Sequence, residues 1–232
     1  MENVVRTHFF DHKEDLELDQ RNLYFWRALQ GHILADNVLP QQAVILDIGC
    51  HRGGLLELLI QKFNVVKVIG LDPLLSARKV AAQRLARFCV DAKFYDINGW
   101  QQVPNASVSL VVAHEVLQYI EHLPVVMSHI KRVLQPGAFA YIVLGCHSEN
   151  PLWKQWKTEL EAIGHTVYNH APIDILAAAV DVGLAPSLRP LRDTGWVYYK
   201  PNEDEVFTYP SVSALLEHQY KHKLLFRLEK PL

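Results

Sequence analysis

Gly49, Gly53 and Asp72 have the types and spacing to hold a ligand. An apolar run, Val44 to Ile48, breaks at Gly49, and after Gly53 and Gly54 the leucines Leu55, Leu56, Leu58 and Leu59 recur at helical spacing. A strand that turns through glycines into a helix gathers unpaired N–H groups at one point. Those groups favour a negative ligand, and glycine lets it approach the backbone closely. A second apolar run, Val65 to Leu71, ends in Asp72. This acid lies about 20 residues past the turn, where a carboxylate at a strand tip can accept hydrogen bonds from ribose hydroxyls.

Such residues need alternating strands and helices to position them, and the rest of the chain supplies the pattern. Leu23, Trp26 and Ile33 share one face of a helix expected from about Lys13 to Ala35, which Leu39-Pro40 ends. A helix is expected from about Leu75 to Phe88, a strand from Ala92 to Ile97, and another from Ser107 to Ala113. A helix from Pro124 to Leu134 then leads through a tight turn, Gln135-Pro136-Gly137, into a strand from Ala138 to Leu144. Beyond it, Ser148 is expected to cap a helix with Pro151 in its first turn and Gly164 as its stop. Ala171 to Val182 reads as an amphipathic helix closed by Gly183. Two late strands, Leu188 to Tyr199 and Lys223 to Glu229, flank a polar turn at Asn202 to Glu205 and a helix from Pro210 to Tyr220.

With these elements in place, Leu46-Asp-Ile-Gly-Cys-His-Arg-Gly53 resembles the first motif of the class I methyltransferases that use S-adenosyl-L-methionine. Asp47, Gly49 and Gly53 fall on that motif, and His51 stands where the family most often has its middle glycine. The resemblance runs from Val44 to Gly145. It implies a three-layer α/β/α sandwich on a seven-stranded, mostly parallel sheet with an antiparallel last strand. It implies S-adenosyl-L-methionine as cofactor, with S-adenosyl-L-homocysteine as product, held by Asp47, Gly49, Cys50, His51, Gly53, Asp72 and Pro73. Asp96 and Ile97 fall where the family contacts adenine, and His114 where it meets the methionine end, with a buried, hydrogen-bonded histidine as its equal alternative. His114-Glu-Val-Leu117 lacks the Pro-Pro-Tyr, Pro-Cys and metal-binding Asp forms of other branches, and resembles the branch that modifies small metabolites. The N-terminal helix resembles a cap folded over the cofactor. Phe10, Tyr24, Trp26, Trp153 and Trp156 are therefore candidates to contact the acceptor, although aromatics at this spacing more commonly pack a helix onto its sheet.

His147 and Glu149 follow the fifth strand, on the side where open α/β sheets bind ligands, and are the candidate bases for a hydroxyl or phenol acceptor. Their other reading is loop and cap residues facing water. The domain organisation expected is a single domain over 1–232, with a helical cap at 1–40, a cofactor half at 44–145 and an acceptor half at 146–232. The function expected is methyl transfer to an O or N atom of a small metabolite. The rival readings are a non-catalytic cofactor-binding or interaction subunit and a nicotinamide-dependent oxidoreductase, though Gly49-Cys-His-Arg-Gly53 fits the Gly-x-Gly-x-x-Gly fingerprint poorly.

Composition bounds these readings. The 232 residues carry a net charge of −2 and are 50% hydrophobic, enough for one sizeable core with no basic stripe for nucleic acid. No apolar run spans a bilayer and no signal-peptide pattern stands at Met1, so a cytoplasmic monomer or homodimer acting on a small molecule is expected, with no membrane partner. Three widely spaced cysteines read as reduced thiols, and no two of the twelve histidines stand in a His-Glu-x-x-His zinc pattern, so no metal is expected.

Overall fold

Among the described residues, seven strands share one sheet. They are β1 (Ala43–Ile48), β2 (Val65–Leu71), β3 (Asp91–Tyr95), β4 (Val108–His114), β5 (Leu134–Leu144), β6 (Ala185–Pro190) and β7 (Leu224–Glu229). The computed structural model describes residues 12–197 and 207–232. The strand order is β3-β2-β1-β4-β5-β7-β6. The first five strands pair in parallel, and β7 runs antiparallel to both β5 and β6. The order reverses beside β1, so the crevice at the carboxyl ends of β1 and β4 is the switch point at which such sheets bind ligands. The antiparallel β7 also separates this sheet from the all-parallel order of dinucleotide-binding folds, which argues against the oxidoreductase reading.

Helices cover both faces. On one side α1 (His12–Asp36), α2 (Gly54–Lys62) and α3 (Leu75–Leu85) set Trp26, Leu29, Ile33, Leu56, Leu59 and Leu85 against Ile45, Val68, Val112 and Val143. The other side carries α4 (Leu123–Val133), α5 (Trp153–Ala162) and α6 (Pro172–Asp181), packed on Leu46, Ile48, Val111, Ala113 and Ile142. Successive strand residues point to opposite faces, so Ile45 and Leu46 enter different layers. In α4, Leu123, Val126, Met127, Ile130 and Val133 are buried at the 3.6-residue period while Ser128 is exposed. Each such side chain contributes ~1.5–3 kcal/mol on full burial, so a charge at Met127 would release this helix from the sheet.

The carboxyl end of α1 is tied to the sheet by Tyr141, whose hydroxyl donates to Asp36 Oδ2 at 2.5 Å, and by Arg227, 3.0 Å from the same oxygen. Nearer its start, Asp19 pairs with Arg84 of α3 at 2.5 Å, and Arg84 also pairs with Glu57 of α2 at 2.8 Å. Among the described residues no helix is long and apolar enough to cross a membrane.

Several boundaries differ from the sequence expectation. Gln135-Pro136-Gly137 is not a turn before the fifth strand but a bulge inside it. Val108 pairs with Leu134 and Leu110 pairs with Phe139, leaving surplus residues on β5. Gly137, at φ +75°, takes up the bend, and its N–H donates to Lys230 O at 2.7 Å. Ser148 does not cap α5, which starts at Trp153, because Asn150 turns the chain first by accepting the Leu152 N–H on its side chain at 3.1 Å. The sixth strand covers Ala185–Pro190 and leaves 191–197 outside it, while the end of the expected strand, Tyr198 and Tyr199, lies outside the described residues. The polar turn at Asn202 to Glu205 and the aromatic Phe10 lie outside the described residues. The late helix splits into α7 (Val212–Glu217), capped by Ser211 Oγ, and a wider π turn over His218–His222.

Candidate functional site

After Ile48 the backbone enters the left-handed region three times, at Gly49 (φ +71°), His51 (φ +46°) and Gly53 (φ +76°). The Gly49 and Cys50 N–H groups donate to Leu71 O at 2.7 and 3.1 Å, which stitches the loop to the end of β2. Glycine is required at 49 because a Cβ there would stand 2.4 Å from Val116 Cγ2. His51 occupies the position of the missing middle glycine and adopts the left-handed backbone that histidine tolerates better than branched residues do. Burial, against an opposing pull from Asp19, pushes its imidazole down to about 4, so the ring is neutral at pH 7.

Asp72 is bolted to this loop. His51 N–H donates to Asp72 Oδ2 at 2.8 Å, and Leu74 N–H donates to Oδ1 at 2.9 Å. Each carboxylate oxygen keeps a second lone pair, so both remain available to a diol. Burial raises the Asp72 pKa, and the Leu74 and His51 N–H groups offset part of that rise. Asp47 lies behind, 2% exposed, its pKa pushed well up by burial and by Asp72. Pro73 is exposed at the tip of β2. Asp96 is committed to its own turn. Its Oδ1 accepts from Asn98 N at 3.0 Å, and Arg78 reaches Oδ2 at 3.3 Å while also donating to Asp72 O at 2.5 Å. Ile97 packs against the core beside it.

The crevice continues at the end of β4. His114 faces the rings of Phe25 and Trp26 with centroids 5.9 and 6.3 Å away. Burial, reinforced by Lys223, pushes its imidazole down to about 3. Its Nε2 is buried and has no hydrogen-bond partner among the described residues. Glu115 follows at φ +53°, and Glu115 Oε1 accepts the Gly145 N–H at 2.7 Å and pairs with Lys223. Lys223 Nζ also lies 4.2 Å from the centre of the Phe25 ring, linking α1 to the crevice floor. Burial would raise the Glu115 pKa, but the Lys223 ammonium and His114 outweigh it and hold the carboxyl at about 2. The sequence reading passed over Glu115 because its partner stands 108 positions further on.

Beyond the end of β5, His147 is 1% exposed, and its Nε2 is 2.8 Å from His222 O, a contact that requires the proton on Nε2. Its Nδ1 is therefore an acceptor, and it is buried with no partner among the described residues. Burial lowers its pKa. Glu149 is exposed. The two tryptophans of α5 are core residues rather than open ligand faces, each 2% exposed. Trp153 Nε1 donates to Asn169 Oδ1 and Trp156 Nε1 to Thr208 O, both at 2.9 Å. Trp26 is buried too and lies on the glycine loop, since a Cβ at Gly54 would stand 2.6 Å from its indole. Tyr24 pins the 191–197 segment, donating its hydroxyl to Trp196 O with the Arg192 guanidinium 3.8 Å above its ring. The structure thus brings Asp47, Gly49, Cys50, His51, Gly53 and Asp72 together and leaves Glu149 on the surface. Among the described residues no three His, Cys, Asp or Glu side chains are placed to hold a metal ion.

Comparison with known proteins agrees with this geometry. Residues 46–140 match the model of a methyltransferase domain family. The chain is 28% identical over 119 residues to a trans-aconitate 2-methyltransferase of Azoarcus sp. (strain BH72), covering 51% of this chain and 46% of that protein. It therefore spans about half the length of that curated relative. Among solved structures, the complex between the Haloferax volcanii Trm112 methyltransferase activator and a chain assigned as a methyltransferase superposes with a TM-score of 0.75 at 19% identity, covering 93% of this chain and 95% of that one. The geranyl diphosphate C-methyltransferase of Streptomyces coelicolor A3(2), solved with Mg2+, geranyl diphosphate and S-adenosyl-L-homocysteine, gives a TM-score of 0.64 at 17% identity over 88% of this chain and 77% of that one. The fold is that of the class I methyltransferases.

Proposed function

We propose that this protein transfers a methyl group from S-adenosyl-L-methionine to an O or N atom of a small metabolite. The observation that carries the reading is the glycine loop bolted to Asp72 at the switch point of the sheet, within the stretch that matches the methyltransferase domain. The donors and acceptors present fit the cofactor. Asp72 would hold the ribose hydroxyls, the Gly49–Gly53 backbone would lie against the carboxypropyl chain, and Pro73, Asp96 and Ile97 would border the adenine. The unpartnered His114 Nε2, at the carboxyl end of β4, would meet the methionine end.

When bound, the sulfonium would supply an electrophilic methyl carbon open to displacement by an acceptor lone pair, the carbon–sulfur bonding electrons passing to sulfur. The protein's share is positioning and exclusion of water. α1 covers the loop through Trp26 and Phe25, so the crevice is closed on that side by apolar rings. For a hydroxyl acceptor, His147 Nδ1 is the better of the two candidate bases. It is a neutral imidazole nitrogen with its tautomer set by His222 O, whereas Glu149 stands in water. An amine acceptor that arrives neutral needs no base and loses its proton after transfer.

Calorimetric titration of S-adenosyl-L-methionine and S-adenosyl-L-homocysteine tests the cofactor. Micromolar binding to the wild type and at least tenfold weaker binding to Asp72→Ala are expected, since a hydrogen bond to a charged group contributes ~1.5–3 kcal/mol. Absence of binding to folded wild-type protein would sink the reading.

A further inference from the structure

Glu115 has a use that neither its fold position nor the cofactor explains. A carboxylate has room for about four hydrogen bonds. Here Oε1 takes two donors, Gly145 N–H and Lys223 Nζ, while Oε2 is buried without a hydrogen-bond partner among the described residues. The Cys146 thiol hydrogen-bonds the same carboxylate, but a thiol is a weak donor, and burial together with Glu115 keeps it protonated. Native structures rarely leave such an atom unsatisfied without a reason.

Nearby acceptors share this condition. Gln118 gives its Nε2 to Glu115 O at 2.9 Å and leaves Oε1 buried without a partner. Gln219 Oε1 is buried and unpartnered as well. Gln219 follows His218, whose Cε1 would lie 2.7 Å from a Cβ at Gly145, with Glu115 Oε1 3.1 Å from the same point. These groups gather around the carboxyl ends of β4 and β5, on the acceptor side of the crevice. Among the described residues, Lys223 pairs with Glu115, and Arg21 of α1 acts on Tyr209. Bare acceptors of this kind call for donors, and a polyanion would set its own oxygens against them.

On the reading that this crevice is a methyltransferase site, we infer that Glu115 Oε2 accepts a hydrogen bond from the methyl acceptor, from an amine N–H above all, and so selects amines over polycarboxylates and diphosphates. Glu115 is here a binding residue. The geometry leaves it no task as a base, since its other oxygen is tied to Lys223 and the backbone.

The test uses the whole chain loaded with S-adenosyl-L-homocysteine and three amine probes, phenethylamine, tyramine and histamine, with trans-aconitate as the polyanion. Binding is read by calorimetry in the wild type, in Glu115→Gln, and in Glu115→Gln combined with Lys223→Met, which removes both buried charges and guards against misfolding. At least one amine is expected to bind the wild type, to bind the double variant tenfold or more weakly, and to outcompete trans-aconitate. S-adenosyl-L-homocysteine should bind all three proteins within about threefold, a factor worth under 1 kcal/mol. Amines that bind wild type and double variant alike, or not at all while the cofactor product binds, overturn the inference and leave the methyltransferase reading standing. Preferential binding of trans-aconitate overturns it too. Failure of the cofactor product to bind folded wild type removes both.

Discussion

Replacing Lys223 by methionine isolates the charge pair beneath the α1 cap. Lys223 is 6% exposed, and its ammonium is paired with Glu115 Oε1, so the substitution leaves a carboxylate buried without its countercharge. The native pair holds Glu115 at about 2 against an ordinary value of 4.5. At ~1.4 kcal/mol per pH unit that gap corresponds to ~3 kcal/mol, in line with the ~3–5 kcal/mol expected on breaking a buried pair. Loss of the contact with the Phe25 ring adds ~0.5–1 kcal/mol. The variant should therefore be less stable by ~3–4 kcal/mol at pH 7, read from urea midpoints of both proteins.

The pH dependence gives the sign. A depressed carboxyl contributes stability that is present above 4.5 and is lost as the pH falls towards about 2. In Lys223→Met the same carboxyl is raised by burial, so protonation on acidification relieves it and the gap to wild type narrows between pH 7 and pH 4. Glu115→Gln added to Lys223→Met should recover at least half of the loss, since the glutamine oxygen can still accept the Gly145 N–H. A loss below ~1 kcal/mol at pH 7, a gap that widens in acid, or a double variant as unstable as the sum of the singles would refute the account.

Two further outcomes follow from the geometry. Gly49→Ala combines a left-handed backbone strain of ~1–2 kcal/mol with displacement of Val116, whose Cγ2 stands 2.4 Å from the new Cβ, so it should lower the denaturation midpoint and abolish cofactor binding in titration. Tyr141→Phe removes the donor to Asp36 and leaves Arg227 as the remaining tie there, so a loss of ~1–3 kcal/mol is expected in urea denaturation, with retained cofactor affinity.

The stretch from Val44 to Gly145 was readable from the chain because its signals are local. β2 ends at Leu71 and Asp72 stands at its tip as the hydrophobic run and the acid dictate, and Gly49 and Gly53 take the left-handed angles that glycine permits. The sheet order and the antiparallel β7 agree with the resemblance carried by the first motif and by His114-Glu-Val-Leu117. Neighbouring residues set strand ends, glycine turns and helix faces, so one sequence suffices to place them.

Other features depend on residues far apart in the chain, and no local pattern holds them. Trp153 and Trp156 have the stripe spacing of a ligand-binding face, yet the 207–209 segment and Asn169 close over them and make them core. His147 owes its tautomer to a carbonyl at 222, and Glu115 owes its charge to Lys223. Gln135-Pro136-Gly137 carries every local mark of a turn, but pairing with β4 on one side and β7 on the other holds it inside a strand. The sequence by itself determined the sheet, the glycine loop and the acid at its rim. Burial, which sets a side chain's charge and whether its hydrogen bonds are met, exists only once distant segments meet, so the protonation states of Glu115 and His147 were decided by the tertiary structure.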